Sequence, residues 1–221
     1  MNVFKPFVQP SKTKVAIVAG AGLDCLPIGY DFYVGVDGGC LTLLEQGLPL
    51  ALAVGDFDSV SEEDFQSIKK NSQEMKTSVA EKNDTDLELA VKAVAERWPQ
   101  AEVMIYGAFW GRMDHHLASV FLPSDPEIAP HMSMLHLLDR QNHLCYRPSG
   151  RHVIEAMEGF NYIGFMPAEG ARIRIEGAKY PLSEDNYFKK AIYGSNEFID
   201  QPIVVTVDRG YLIIIYSKDR N

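Results

Sequence analysis

The chain has 221 residues, enough for one large or two modest domains with a sizeable buried core. Hydrophobic residues make up 46% of it, yet no apolar run approaches the length that crosses a bilayer, which excludes a helical membrane protein. A net charge of −9 argues against a nucleic-acid partner, because a phosphate backbone calls for a basic patch.

The N-terminus lacks a basic region followed by an apolar core and a small-residue cleavage site, so no secretory signal is expected. Cys25, Cys40 and Cys145, odd in number and widely spaced, read as free buried thiols of a reducing cytoplasm. The first half alternates between strand and helix patterns. Short apolar runs closed by Gly or Asp predict strands at Lys14 to Ala19, Phe32 to Val36, Leu50 to Val54 and Val103 to Tyr106. Between them, Leu41 and Leu44 repeat at helical spacing before Gly47, Ser61 to Asp64 resembles a capping box, and Leu87, Val91, Val94 and Trp98 form one apolar face closed by Pro99. Such alternation predicts an α/β domain, a mostly parallel Rossmann-like sheet with helices on both faces, over residues 1–140. From about Ser133 the helical periodicity disappears. Arg172 to Glu176 alternates, Ile203 to Val207 and Tyr211 to Tyr216 are β-branched or aromatic, and Asp208 to Gly210 between them reads as a hairpin turn. Residues 141–221 are therefore expected to form a small C-terminal antiparallel β-sandwich.

The acidic residues carry the chemistry. Asp56 and Asp58 close the third strand, and in extended backbone side chains two apart point the same way. Such a pair repels unless a hard cation lies between, and Mg²⁺ characteristically takes one or two carboxylates plus substrate phosphate oxygens. The plainer alternative is a solvated turn capping the next helix. Asp37 ends the second strand, Asp86 opens the long helix behind a Thr85–Glu88 capping box, and Asp114 falls where it would cap the next one. In an open α/β sheet the ligand binds beyond the carboxyl ends of the strands, so these five aspartates are expected to converge on one edge. Asp84 and Asp86 also suit the positive end of a helix dipole, a sufficient structural reason for either one.

Lys82, beside Asp84 and Asp86, reads as a phosphate contact or as a surface lysine, and Arg112 offers a planar fork for phosphate oxygens. Asp37, Gly38 and Gly39 form a strand-to-helix turn that lets backbone approach a phosphate or ribose closely. His115 and His116 are adjacent and cannot chelate one metal from a helix, and His131 and His136, an odd number apart, would face opposite ways in a strand. No Walker lysine loop and no Gly-x-Ser-x-Gly elbow is present.

Four ordered motifs, VDGG (Val36 to Gly39), GDFDS (Gly55 to Ser59), KNDTD (Lys82 to Asp86) and GRMDH (Gly111 to His115), followed by GSNEF (Gly194 to Phe198), make the chain resemble the bacterial thiamine pyrophosphokinase family. That resemblance implies transfer of a diphosphoryl group from ATP to the hydroxyl of thiamine, giving thiamine diphosphate and AMP. It also implies a homodimer with active sites between subunits. On this view Asp56, Asp58 and Asp86 hold Mg²⁺, and Asp58, Asp86, Arg112 and Lys82 are catalytic. ATP is contacted by Asp37, Gly38, Gly39, Lys82, Thr85, Arg112, Asp114 and His115, and thiamine by Ser195 and Asn196, which otherwise read as an ordinary β-turn. The chain departs from the family pattern at Trp110, where a glycine is usual, at Asn83, where an aspartate is, and at Ser119, where an asparagine is. Three rival readings stand beside this one: a diphosphokinase acting on a hydroxymethylpterin, a phosphatase using Asp56 as an aspartyl nucleophile in Asp56-Phe-Asp-Ser-Val60, and a Mg-nucleotide-binding regulatory module.

Overall fold

Alternating side chains in the first strand, Lys14–Ala19 (β1), face two different cores. Val15 and Ile17 pack with Leu87, Val91 and Val94 of the helix Asp86–Arg97 (α3), whereas Ala16 and Val18 pack with Cys40 and Leu43 of the helix Gly39–Glu45 (α1) and Ile68 of the helix Glu62–Asn71 (α2). Helices therefore cover both faces of the sheet, as the strand–helix alternation predicts. Each fully buried Val, Leu or Ile contributes about 1.5–3 kcal/mol relative to exposure. The computed structural model describes residues 12–20, 23, 27–77, 83–109 and 111–220.

The strands Phe32–Val36 (β2), Leu52–Gly55 (β3), Met75–Thr77 (β4), Glu102–Tyr106 (β5) and Leu135–Leu138 (β6) join β1 in a parallel array ordered β4-β3-β2-β1-β5-β6. Strand order reverses at β1, which places the crevice of a doubly wound sheet at its carboxyl end. A helix, Met113–Val120 (α4), and two 3₁₀ turns, Leu122–Ser124 and Ala129–Met134, connect β5 to β6.

The strand Asn142–Ile154 (β7) turns back antiparallel on β6, so the same sheet continues without a break into the C-terminal region. There Ile203–Ser217 (β11) pairs along β7. Its outer edge pairs with Tyr162–Pro167 (β8) over one half and with Ile173–Glu176 (β9) over the other, while Tyr193–Asn196 (β10) is the edge strand beside β8. The antiparallel region expected from the β-branched runs is present, but the hairpin expected at Asp208 to Gly210 is not. Both halves of β11 pair antiparallel with β7, and those residues form an irregularity between Val207 and Tyr211. Extra residues there shift the alternation. Ile203, Val205 and Val207 enter the C-terminal core and so do Leu212 and Ile214, while Tyr211 and Ile213 turn to the core shared with α3. The turn-forming residues are carried inside one continuous strand, because partners on both of its edges hold it extended.

Cys40 and Cys145 are free and buried, as expected, whereas Cys25 lies outside the described residues.

Candidate active site

Three strand or helix ends each deliver one carboxylate to the crevice. Asp37 follows β2 with φ of 46°, its N–H bonded to the Val54 carbonyl at 2.9 Å. Asp56 follows β3. Asp86 begins α3 behind a complete capping box, in which the Thr85 hydroxyl accepts from the Glu88 N–H at 3.2 Å and Glu88 Oε2 accepts from the Thr85 N–H at 2.7 Å. One oxygen from each of Asp37, Asp56 and Asp86 lies within 4.8 Å of the other two, and all three side chains are half-buried. An all-carboxylate set of hard oxygen donors suits Mg²⁺ or Mn²⁺ and not a soft metal.

Gly55 is the residue that makes this closeness possible. Its φ is 155°, and a Cβ there would stand 1.9 Å from Asp37 Oδ1. The positive φ of Phe57, 57°, has the opposite consequence for Asp58. The chain between Asp56 and Asp58 is not extended, so the two carboxylates do not point the same way. Asp58 is exposed and outside the three-carboxylate group, and its N–H donates to Asp56 Oδ1 at 3.2 Å. Asp37 takes the position in the cluster that the sequence reading gave to Asp58.

The carboxylates line a cavity of about 350 Å³ at the carboxyl ends of β1, β2, β3 and β5, shared with Asp84, Thr85, His115 and the buried Ser119. A larger groove of about 700 Å³ adjoins it through Gly20 and Asp37 and is bordered by Gly38, Thr42 and Gln46. A Cβ on Gly39 would meet the Val18 carbonyl at 2.1 Å, so the glycine serves the packing of α1 on β1. Burial pushes the Cys40 thiol beneath this turn up to about 12, with the adjacent Asp37 charge adding to the effect.

The remaining residues divide clearly. Arg112, not Asp114, takes the cap position of α4, and Asp114 sits in the first turn. The two are exposed and paired, Arg112 Nε to Asp114 Oδ1 at 3.1 Å, and the hydrogen bond from Arg112 holds the Asp114 carboxyl down at about 2. Lys82 and Trp110 lie outside the described residues. Ser195 is exposed with φ of 58°, and Asn196 is buried, its side-chain amide bonded to both the N–H and the carbonyl of Tyr180 at 3.0 and 2.8 Å. Both belong to β10, six strand spacings or roughly 29 Å along the sheet from β1. Within one chain they do not meet the carboxylates.

Two arrangements had no counterpart in the sequence reading. Lys92 of α3 binds Asp84, Asp125 and Glu127 together. Burial alone would lower its pKa, and the hydrogen bonds from Asp125, Asp84 and Glu127 outweigh that and raise it. Asp84 precedes the Thr85 cap and lies outside the helix that carries Lys92, so no helical spacing pairs the two, and nothing in the sequence announces Asp125 as a further partner. His136 of β6 bonds His143 of β7, Nδ1 to Nε2 at 2.8 Å, and burial pushes both rings down to about 4. His131, in a 3₁₀ turn, belongs to a different element from His136, so a shared strand was the wrong frame for that pair.

A parallel sheet with carboxylates gathered at its switch point, joined to an antiparallel β region, defines a two-part α/β protein of the class that binds ligands beyond its strand ends. The chain belongs to the thiamin pyrophosphokinase family: residues 28–127 match the family's catalytic domain and residues 151–212 match its vitamin B1 binding domain. It is 33% identical to the thiamine pyrophosphokinase of Bacillus subtilis over 214 residues, 93% of this chain and 99% of that one. Its fold is similar to a thiamin pyrophosphokinase family protein from Enterococcus faecalis, with TM-score 0.84 and 37% identity, covering 94% of this chain and 100% of that one. It is also similar to the B. subtilis enzyme's crystal structure, with TM-score 0.76 and 31% identity over 94% of this chain and 100% of that one. The resemblance drawn from the motifs is thus borne out, and an aspartyl phosphatase is set aside.

Proposed function

We propose that the chain transfers a diphosphoryl group from ATP to the hydroxyl of thiamine, releasing AMP. The observation that carries this reading is the convergence of Asp37, Asp56 and Asp86 on one cavity at the switch point, in a chain whose second half matches a vitamin B1 binding domain. Mg²⁺ held by these carboxylates would neutralise phosphate oxygens of ATP. The thiamine hydroxyl oxygen attacks the β-phosphorus, the bond from that phosphorus to the α-phosphate bridging oxygen breaks, and AMP leaves with that oxygen. The chain's own part is mostly positioning and electrostatics, as expected for a loose transition state.

Arg112 and Lys82 offset charge on the transferring and leaving oxygens, Arg112 exchanging Asp114 for phosphate. Asp58, exposed beside Asp56, and the Asp37 to Gly39 turn, Thr85, Asp114 and His115 surround the nucleotide. A cavity carboxylate accepts the hydroxyl proton. The adjoining groove bordered by Thr42 and Gln46 is large enough for the nucleoside half of ATP.

The working unit is a homodimer, and Ser195 and Asn196 contribute to thiamine binding in the partner's site. Asn196 does so by fixing the Tyr180 loop, since its amide is already engaged. What supports this is the edge of β10 that pairs with no strand among the described residues, flanked by exposed Tyr180, Phe188 and Ile192, together with the distance along the sheet from β10 to the carboxylates. The two functional units are 1–140 and 141–221, in a cytoplasmic protein; among the described residues no helix is long and apolar enough to cross a membrane.

The test is AMP release from MgATP with thiamine and, separately, with a hydroxymethylpterin. Turnover with thiamine that Asp56→Asn lowers by about 10³-fold supports the reading. Turnover with the pterin alone replaces the substrate, and binding of MgATP without AMP release points to a nucleotide sensor.

A further inference from the structure

Lys92 belongs to none of the motifs that mark the family, yet three carboxylates close on its ammonium: Asp84 at 2.9 Å and Asp125 and Glu127 at 2.8 Å. It lies on α3 beyond Asp86, and a long helical side chain leans back toward the helix N-terminus. That brings it to Asp84, the residue before the Thr85 cap, whose side chain lines the same cavity as the three clustered aspartates. On its other side, Asp125 follows the 3₁₀ turn Leu122–Ser124, and its Oδ1 accepts the Glu127 N–H at 2.7 Å. That turn leads directly out of α4, which supplies His115 and Ser119 to the cavity. One cation thus ties the entry of α3 to the exit of α4. The Lys92, Asp125 and Asp84 side chains are 17%, 15% and 31% exposed, against 73% and 62% for the Arg112–Asp114 pair, so solvent competes less for these two arms than for that surface pair, while Glu127, at 75%, is open to water.

We propose that Lys92 is a positioning residue of the cation site: by fixing Asp84 it holds the adjoining cap, and with it the Asp86 carboxylate, at the spacing a divalent cation requires. The inference rests on the cation reading above and assigns that site's geometry to a side chain outside it. A purely electrostatic role has the opposite sign, because removing a positive charge near the cluster would tighten cation binding.

The experiment is calorimetric titration of Mn²⁺ into wild type, Lys92→Met, Lys92→Arg and the Lys92→Met, Asp84→Asn double variant, with melting temperatures measured in parallel. The expected result is binding about 10–100-fold weaker for Lys92→Met, the range seen when groups supporting metal ligands are removed. Lys92→Arg should stay close to wild type, and with Asp84→Asn titrated alone as well, the double variant should be weaker by clearly less than the product of the two single effects, whereas a full product overturns the route through Asp84. Unchanged or tighter Mn²⁺ binding by Lys92→Met overturns the proposal whatever its melting temperature, since a merely structural lysine moves only the latter. If Lys92→Met does not fold, Lys92→Gln is titrated under the same criteria. Wild type that binds no Mn²⁺ overturns the cation reading itself, a result distinct from a wild type that binds and a variant that binds equally well.

Discussion

Gly55→Ala tests the cluster at its tightest point. An ordinary van der Waals contact begins at 3.4 Å, and the added Cβ would stand 1.9 Å from Asp37 Oδ1, so the carboxylate must retreat by roughly 1.5 Å. That is a large part of the 4.8 Å within which the three ligand oxygens lie. Misplacement of about 1 Å at a reacting centre costs on the order of 10²-fold in rate, so kcat for AMP release should fall by at least that factor. The φ of 155° adds a backbone cost of about 1–3 kcal/mol, which a domain with a typical reserve of 5–15 kcal/mol survives folded. Steady-state AMP release and a urea melt on the same preparation separate the two effects. A folded Gly55→Ala protein with wild-type kcat would show that the Asp37 carboxylate has no part in the chemistry, and would refute the assignment of the cluster.

Two further outcomes follow from groups outside the cavity. His143, pushed by burial from the ordinary 6.5 down to about 4, stays neutral in the folded chain while the unfolded chain protonates first. Its contribution is therefore present above pH 6.5 and lost as pH falls from 6.5 to 4, by about 3 kcal/mol; urea midpoints at pH 7, 5.5 and 4 should show this slope, and His143→Phe should reduce it to the part that His136 contributes over the same window. Tyr146 donates to the Ser119 and Val120 carbonyls at 3.0 and 3.2 Å, closing the end of α4 from β7. Tyr146→Phe should cost about 1 kcal/mol by thermal melt and leave the KM for thiamine unchanged, whereas no loss of stability would mean those carbonyls are satisfied otherwise.

How far the sequence spoke depended on whether a signal was local. β1 and β2 occupy the apolar runs that predict them, and the Thr85–Glu88 box sits where its spacing says, because side-chain period and cap chemistry are decided within a few residues. Asp58 lacks the placement beside Asp56 that an extended backbone predicts, for a reason equally local but invisible in residue types: Phe57 adopts a positive φ that its side chain does not advertise. Asp114 missed the cap because Arg112 begins the helix without any side-chain cap. The reversal expected at Asp208 to Gly210 failed because pairing with β7 on one side and with β8 and β9 on the other overrides turn propensity. Lys92 with Asp125, and His136 with His143, are contacts of the tertiary fold that no motif records.

The unbroken passage of β6 into β7 and β11 has a thermodynamic consequence. A catalytic half and a vitamin-binding half joined by a flexible tether could melt in separate steps, whereas these halves share ladder hydrogen bonds and a core to which Tyr146, Tyr211 and Ile213 belong alongside Val91 and Val94. Neither half can lose its structure without exposing part of the other's interior. The natural expectation is one cooperative unfolding transition for the whole polypeptide, with the long strand pair as the shared spine of both.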